Sequence, residues 1–153
     1  MAGDGCDRDP GPMNDSGIAD HRIVELSRAE CERLLSATTV GRIGFVVGGS
    51  PLVLPVVYRF VDGEVVFRTS TGMKLHAVAA NQPAAFEIDH VDTVTHTGWS
   101  VLVTGHASEV VEWDRRERCE ALGIEPWTSQ DLDRWVRIPA EHVSGRRIVT
   151  LPG

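Results

Sequence analysis

Two short turn signals, Gly48-Gly49-Ser50 and Asp62-Gly63, constrain this chain more than any other feature. Gly-Gly and Asp-Gly pairs reach the positive φ values that tight hairpin turns need at little steric cost. The residues around them are Val, Leu, Ile and Phe-rich: VGRIGFVV (40–47), PLVLPVVYRF (51–60) and EVVFRTS (64–70). The first of these alternates, with Ile43, Phe45 and Val47 as its buried set. Two hairpins in succession make an antiparallel meander, not the helix-crossed parallel sheet of an α/β protein. Pro51 and Pro55 remove two N–H groups from the second strand, so Pro55 marks a bulge or a locally unpaired edge.

The rest of the chain extends this pattern. Ser27-Arg28-Ala29-Glu30 is a capping box, followed by a helix with Cys31, Leu34 and Leu35 on one face and Leu26 positioned to pack on Cys31. MKLHAVAA (73–80) reads as a second helix, stopped by Asn81 and Pro83. AAFEID (84–89) is a fourth strand, HVDTVTHT (90–97) a polar connection, and residues 98–112 a long fifth strand with Gly105 as a bend or bulge. Trp113 to Leu122 is helical and ends at Gly123, and the segment after it adds a short helical piece. WVRIPAEHVSGRRIVTL (135–151) closes the chain as one strand interrupted by Pro139 and Gly145. About six strands and three short helices follow: a mainly β (α+β) protein built as a small antiparallel barrel. Residues 1–20 hold four Gly, two Pro and five Asp and almost nothing to bury, which predicts a disordered tail before one domain at 21–153.

A formal net charge of −7 leaves no basic stripe for a phosphate backbone, so nucleic acid is not an expected partner. Cys6, Cys31 and Cys119 are odd in number and widely spaced, which predicts neither a disulfide framework nor a zinc site. No run of about 18 apolar residues and no basic-then-apolar leader is present, so no membrane span and a cytoplasmic location are expected. Asp89, His90, Asp92 and His96 lie in a polar connection that reads as solvated loop, not as a metal site. His106 and His142 have no visible partner, and no nucleophile–base set appears.

The candidate chemistry converges on Lys74. It is the only lysine; the other fourteen basic residues are arginine. It follows Thr69, Ser70 and Thr71 at the start of the second helix, and hydroxyls, helix N–H groups and one cation together suit a phosphate. A solvated surface lysine is the plain alternative. Trp99 and Ser100 open the long strand and suit either core packing or a planar ligand. Pro55, Val56, Val57 and Tyr58, with Phe67 and Arg68 on the paired strand, offer either ordinary sheet packing or free backbone groups for a heterocycle.

In order, LSRAECERLL, VGRIGFVVGGSPLVLPVVYRFVDGEVVFRTSTGMKL, NQPAAFEID and GWSVLVTGHASEV resemble the pyridoxamine 5′-phosphate oxidase-like, FMN-binding split-barrel family. The likeness covers roughly residues 26–110, and is strongest to an uncharacterised bacterial branch similar to nitroimidazole-resistance proteins. The resemblance implies a six-stranded antiparallel split β-barrel with short flanking helices, forming a homodimer with FMN at the subunit interface. By position it implies a phosphate role for Lys74, Thr69 and Thr71. Pro55, Val56, Val57, Tyr58, Phe67 and Arg68 would run along the ring and ribityl chain, with Trp99 and Ser100 as a further contact pair. The pattern departs at Met73, where the oxidases carry a basic residue, and at Pro55, near which they carry an arginine. Trp135 and Arg137 echo only part of the oxidases' substrate signature. The resemblance therefore implies an FMN-dependent oxidoreductase of unknown small-molecule substrate, with these departures weighing against pyridoxamine phosphate. Two alternatives stay open: a deazaflavin-dependent reductase, and a non-catalytic flavin or haem carrier or sensor with His76, His90 or His96 as haem ligands.

Overall fold

The structure is a computed structural model that describes residues 21–70, 80–125, 127 and 132–150. Eight strands occur among the described residues: β1 (His21–Glu25), β2 (Val40–Val47), β3 (Ser50–Val61), β4 (Glu64–Thr69), β5 (Ala80–Asp92), β6 (Thr97–Glu109), β7 (Arg134–Pro139) and β8 (His142–Thr150). Two helices accompany them among the described residues, α1 (Arg28–Ala37) and α2 (Trp113–Glu120). Neither is long and apolar enough to cross a membrane.

All pairings are antiparallel, in the order β1-β8-β6-β5-β2-β3-β4-β7, and a further β6–β7 pairing closes β2 to β7 into a six-stranded barrel. β1 and β8 lie outside it, with β8 on β6. The two hairpin signals become two-residue turns. Gly48 and Gly49 take φ of 55° and 81°, and Asp62 and Gly63 take 52° and 75°. These angles match the right-handed twist of the flanking strands.

The barrel interior takes alternate residues of each strand, including Ile43, Phe45, Tyr58, Val65, Phe67, Phe86, Ile88, Val101, Val103, Val136 and Ile138. Each large side chain so buried stabilises by about 1.5–3 kcal/mol. α1 adds Cys31, Leu34 and Leu35, and the capping box forms as expected: Glu30 N–H donates to Ser27 Oγ at 3.3 Å and Ser27 N–H to Glu30 Oε2 at 2.9 Å. The Ser27 N–H, and after it the Ser27 hydroxyl donating to Glu30 Oε2 at 2.8 Å, hold the Glu30 carboxyl below its usual range. A second cluster, with Val66, Val110, Cys119, Ile124 and Trp135, joins α2 to the outer faces of β4 and β7. Trp135 Nε1 donates to Glu120 Oε1 at 2.9 Å.

Several expectations are corrected. The closing segment is two strands, β7 and β8, and Gly145 does not interrupt β8; it lets α1 approach, since a Cβ there would sit 2.5 Å from Cys31 Sγ. The polar connection after the fourth strand is shorter than expected, because β5 runs to Asp92 and β6 starts at Thr97, which leaves only residues 93–96 as the turn. Gly105 keeps register with Ala84, so it is no bulge; the shift lies between Ala80 and Gln82, at Asn81 with φ 55°. The tail at 1–20, the helix expected from Met73, and most of the helical piece before Trp135 fall outside the described residues.

Candidate functional site

The site grows from one exposed backbone edge. β3 pairs with β2 from Ser50 to Val57 and with β4 from Tyr58 to Val61. The other edge of residues 50–57 has no strand partner among the described residues. Tyr58 N–H donates to Thr39 O at 2.9 Å, so Tyr58 sits in a hydrogen-bonded position against β2. Such positions alternate in an antiparallel pair. Pro55, opposite Arg42, and Pro51, opposite Val46, therefore point their nitrogens away from β2, towards the open edge. The register runs unbroken through Pro55, so the unpaired edge is what the proline marks, not a bulge. What the edge offers is carbonyls together with the N–H groups of Val53 and Val57. A ligand's polar rim can use these, while the two prolines deny pairing to another strand.

Strand alternation separates the sequence candidates. Tyr58 and Phe67 face each other across β3 and β4 with their side chains inside the barrel, 0% and 3% exposed. They leave only backbone to a ligand. Phe67 and Arg68 thus line opposite faces of β4, not one surface, because successive side chains of a strand alternate. Arg68 faces outward beside Trp135, its cross-strand partner, with Cζ 5.1 Å from the ring centroid. Arg68 Nε is buried and has no hydrogen-bond acceptor among the described residues. A buried donor left unmet costs about 1–3 kcal/mol, and an anion at this place would relieve it. Thr69 ends β4 directly after it. Thr71 and Lys74, and His76 with them, lie outside the described residues.

Trp99 and Ser100 stand elsewhere. On β6, Trp99 packs against the barrel core with the His90 ring stacked on it at 6.3 Å between centroids. Ser100 faces outward between Asp89 and Arg146. Both border a cavity of about 620 Å³ with Glu87, Asp89, Arg146 and Ile148. β5 and β2 intervene between Trp99 and Ser100 on β6 and the strand β3, which at about 4.8 Å per strand puts the pair roughly 14 Å from β3 along the sheet. A single chain does not bring the two groups together. Between them, Arg42 binds Asp89 at 2.8 Å and Glu87 at 3.3 Å. Burial, and then Asp89, push the Glu87 carboxyl up, and Arg42 opposes the rise.

The other candidates scatter. Asp92 accepts from Val94 N–H at 2.9 Å and Thr95 N–H at 3.1 Å and so shapes the β5–β6 turn, which holds its carboxyl down. His96 lies near His21. No group of three or more metal-ligating side chains occurs among the described residues. His106, without a visible partner in the sequence, meets Glu141 at 3.0 Å across the barrel wall. Sequence reading also misses the Arg68–Trp135 contact. A residue spacing of that length carries no local signal, although an outward arginine opposite a tryptophan is recognisable once β4 and β7 are known to pair.

The outer face of the sheet carries exposed apolar side chains beside the Arg42–Asp89–Glu87 group. Val53 and Val91 are 65% and 64% exposed, and Ile23, Val46, Leu102 and Ile148 are exposed with them. The register sets Ile23, Ile148, Gly98 and Val91 in one row across β1, β8, β6 and β5.

A family model described as pyridoxamine 5′-phosphate oxidase matches residues 27–147. An uncharacterised protein of Mycobacterium tuberculosis, Rv0080, is 38% identical over 145 residues, covering 92% of this chain and 95% of that protein. Among solved structures, an FAD-binding protein of Mycobacterium smegmatis is 31% identical with a TM-score of 0.69, covering 80% of this chain and 96% of the other. An FAD-binding protein of Mesorhizobium loti is 26% identical with a TM-score of 0.69, covering 82% and 97%.

Proposed function

Since the chain belongs to the pyridoxamine 5′-phosphate oxidase family, we propose that it binds a flavin nucleotide between two copies of itself and serves as an oxidoreductase. The observation that carries this reading is the likeness to an FAD-binding protein over 80% of this chain and 96% of that one. The residues fit the group. The buried, unmet Nε of Arg68 calls for an anion, and Thr69, Thr71 and Lys74 follow it in the chain. The open edge of β3 supplies N–H and C=O groups for the rim of a flat ring. A bound flavin supplies the hydride or electron transfer. The chain's own residues bind it, orient it and hold positive charge beside its phosphate.

The same geometry supports the dimer in this reading. Trp99 and Ser100 reach a flavin on the β3 edge only if a second copy brings them there. The exposed apolar side chains of the outer face are the surface that such a pairing would cover. Arg68, Thr69 and Lys74 address a phosphate common to FMN and FAD. FMN is the reading for this chain, and the two FAD-binding neighbours make FAD the comparison to run beside it.

Lys74→Ala tests the assignment. FMN binding should weaken by about 1.5–3 kcal/mol, the scale of a charged hydrogen bond left unmade. Riboflavin, which has no phosphate, should bind the variant and the parent alike. Equal losses for both ligands would refute the phosphate role.

A further inference from the structure

A smaller cavity of about 250 Å³ lies outside the barrel, between α2 and the β3–β4 hairpin. It is distinct from the proposed flavin site, since Glu64, which borders it, and Arg68 stand at opposite ends of β4. Its walls are apolar, from Val61, Val66, Val110 and Leu122. Its rim is charged: Arg115 and Arg118 of α2 and Arg137 of β7 against Asp62 and Glu64. Three guanidiniums and two carboxylates leave one positive charge in excess, in a chain of formal net charge −7. Glu64 accepts from Arg137 at 2.6 Å and from Arg115 at 3.4 Å, which fixes both side chains. Each guanidinium has five N–H donors, so most of theirs stay available. Arg118 forms no ion pair with the described residues.

We propose that this cavity binds a small monocarboxylate with an apolar body. The carboxylate would meet Arg118 and the remaining N–H groups of Arg115 and Arg137, and the carbon body would lie against Val66 and Leu122. A dianion would face Asp62 and Glu64 without enough compensating charge. A neutral molecule would leave the excess cation unanswered. The volume is below the usual range for drug-sized ligands, which selects something near the size of benzoate.

Calorimetric titration of the intact protein with sodium benzoate tests this, with benzyl alcohol and inorganic phosphate as comparisons. Saturable benzoate binding in the millimolar range is expected, with neither comparison compound matching it. Arg118→Ala should weaken it roughly tenfold, as loss of one charge-assisted contact does, and Arg118→Lys should keep most of it. Arg118 is exposed on α2, so these variants keep the fold. Leu122→Trp, which fills the cavity, should abolish binding. The proposal is overturned by absent benzoate binding, by benzyl alcohol or phosphate binding as well as benzoate does, or by an Arg118→Ala variant that binds as the parent does. No residue is shared with the flavin site, so failure here leaves that reading untouched.

Discussion

Tyr58 shows how much a single residue's face decides. Its ring meets Phe86 edge-on at 4.6 Å, and its hydroxyl donates to the Leu35 carbonyl at 2.7 Å beside Thr38 Oγ1 at 2.5 Å. It ties the last turn of α1 to the barrel. Tyr58→Phe leaves the Leu35 carbonyl buried without that donor, and should cost about 1–3 kcal/mol in urea unfolding. Burial pushes the phenol up, more than the Thr38 contact lowers it. The neutral form is the one the fold favours. Its contribution is fully present below the ordinary tyrosine value and is lost as pH rises through the raised one. Stability should therefore fall above about pH 10, and Tyr58→Phe should flatten that alkaline limb. The sequence places Tyr58 beside a ligand because it follows the Pro55 gap. The strand's own alternation, inward at Leu54, Val56 and Tyr58, was already legible there and points the ring into the core.

At the level of elements, the local signals held and the distant ones did not. Gly48-Gly49, Asp62-Gly63 and the Ser27–Glu30 box each complete their bonds or angles within a few residues, so the sequence alone reveals them. The β7–β8 boundary is marked in the sequence only by Pro139, the last residue of β7. Its turn is set by Ala140 N–H donating to Gly63 O at 2.9 Å and by Glu141 N–H to Pro139 O at 2.9 Å, one of them long-range. β6 is the hardest element to foresee, because it serves three neighbours: β5 along most of its length, β8 from Gly98 to Thr104, and β7 at Ser108 and Glu109. Gly105 sits where the neighbour changes, and a Cβ there would collide with the Pro139 carbonyl oxygen. Backbone cannot swing aside as a side-chain tip does. Gly105→Ala should lower stability by about 1–3 kcal/mol, read from the denaturation midpoint at unchanged slope.

At the scale of the molecule, β2 to β7 close into a barrel whose outer face carries several exposed apolar side chains. Leu102 stands within that face, 41% exposed, with Glu87 and Ser144 as its cross-strand partners. Its side chain points away from the core, so Leu102→Asp should leave the monomer folded by circular dichroism. Sedimentation should show a dimer for the parent protein and a monomer for the variant, with flavin affinity falling in parallel. A parent that sediments as a monomer would contradict the pairing. The sequence suggests the proposed dimer only through family resemblance, because outward valines and leucines on β2, β3, β5 and β6 read as ordinary strand residues until the topology sets them on the outside of the sheet.

The most direct measurement is a spectroscopic titration of the purified, cofactor-free protein with FMN and FAD. A flavin site predicts saturable binding at micromolar concentration, with a perturbed flavin absorbance band and quenched or altered fluorescence, at one flavin per chain. A flat titration with both nucleotides, from protein that is folded and colourless, would contradict it.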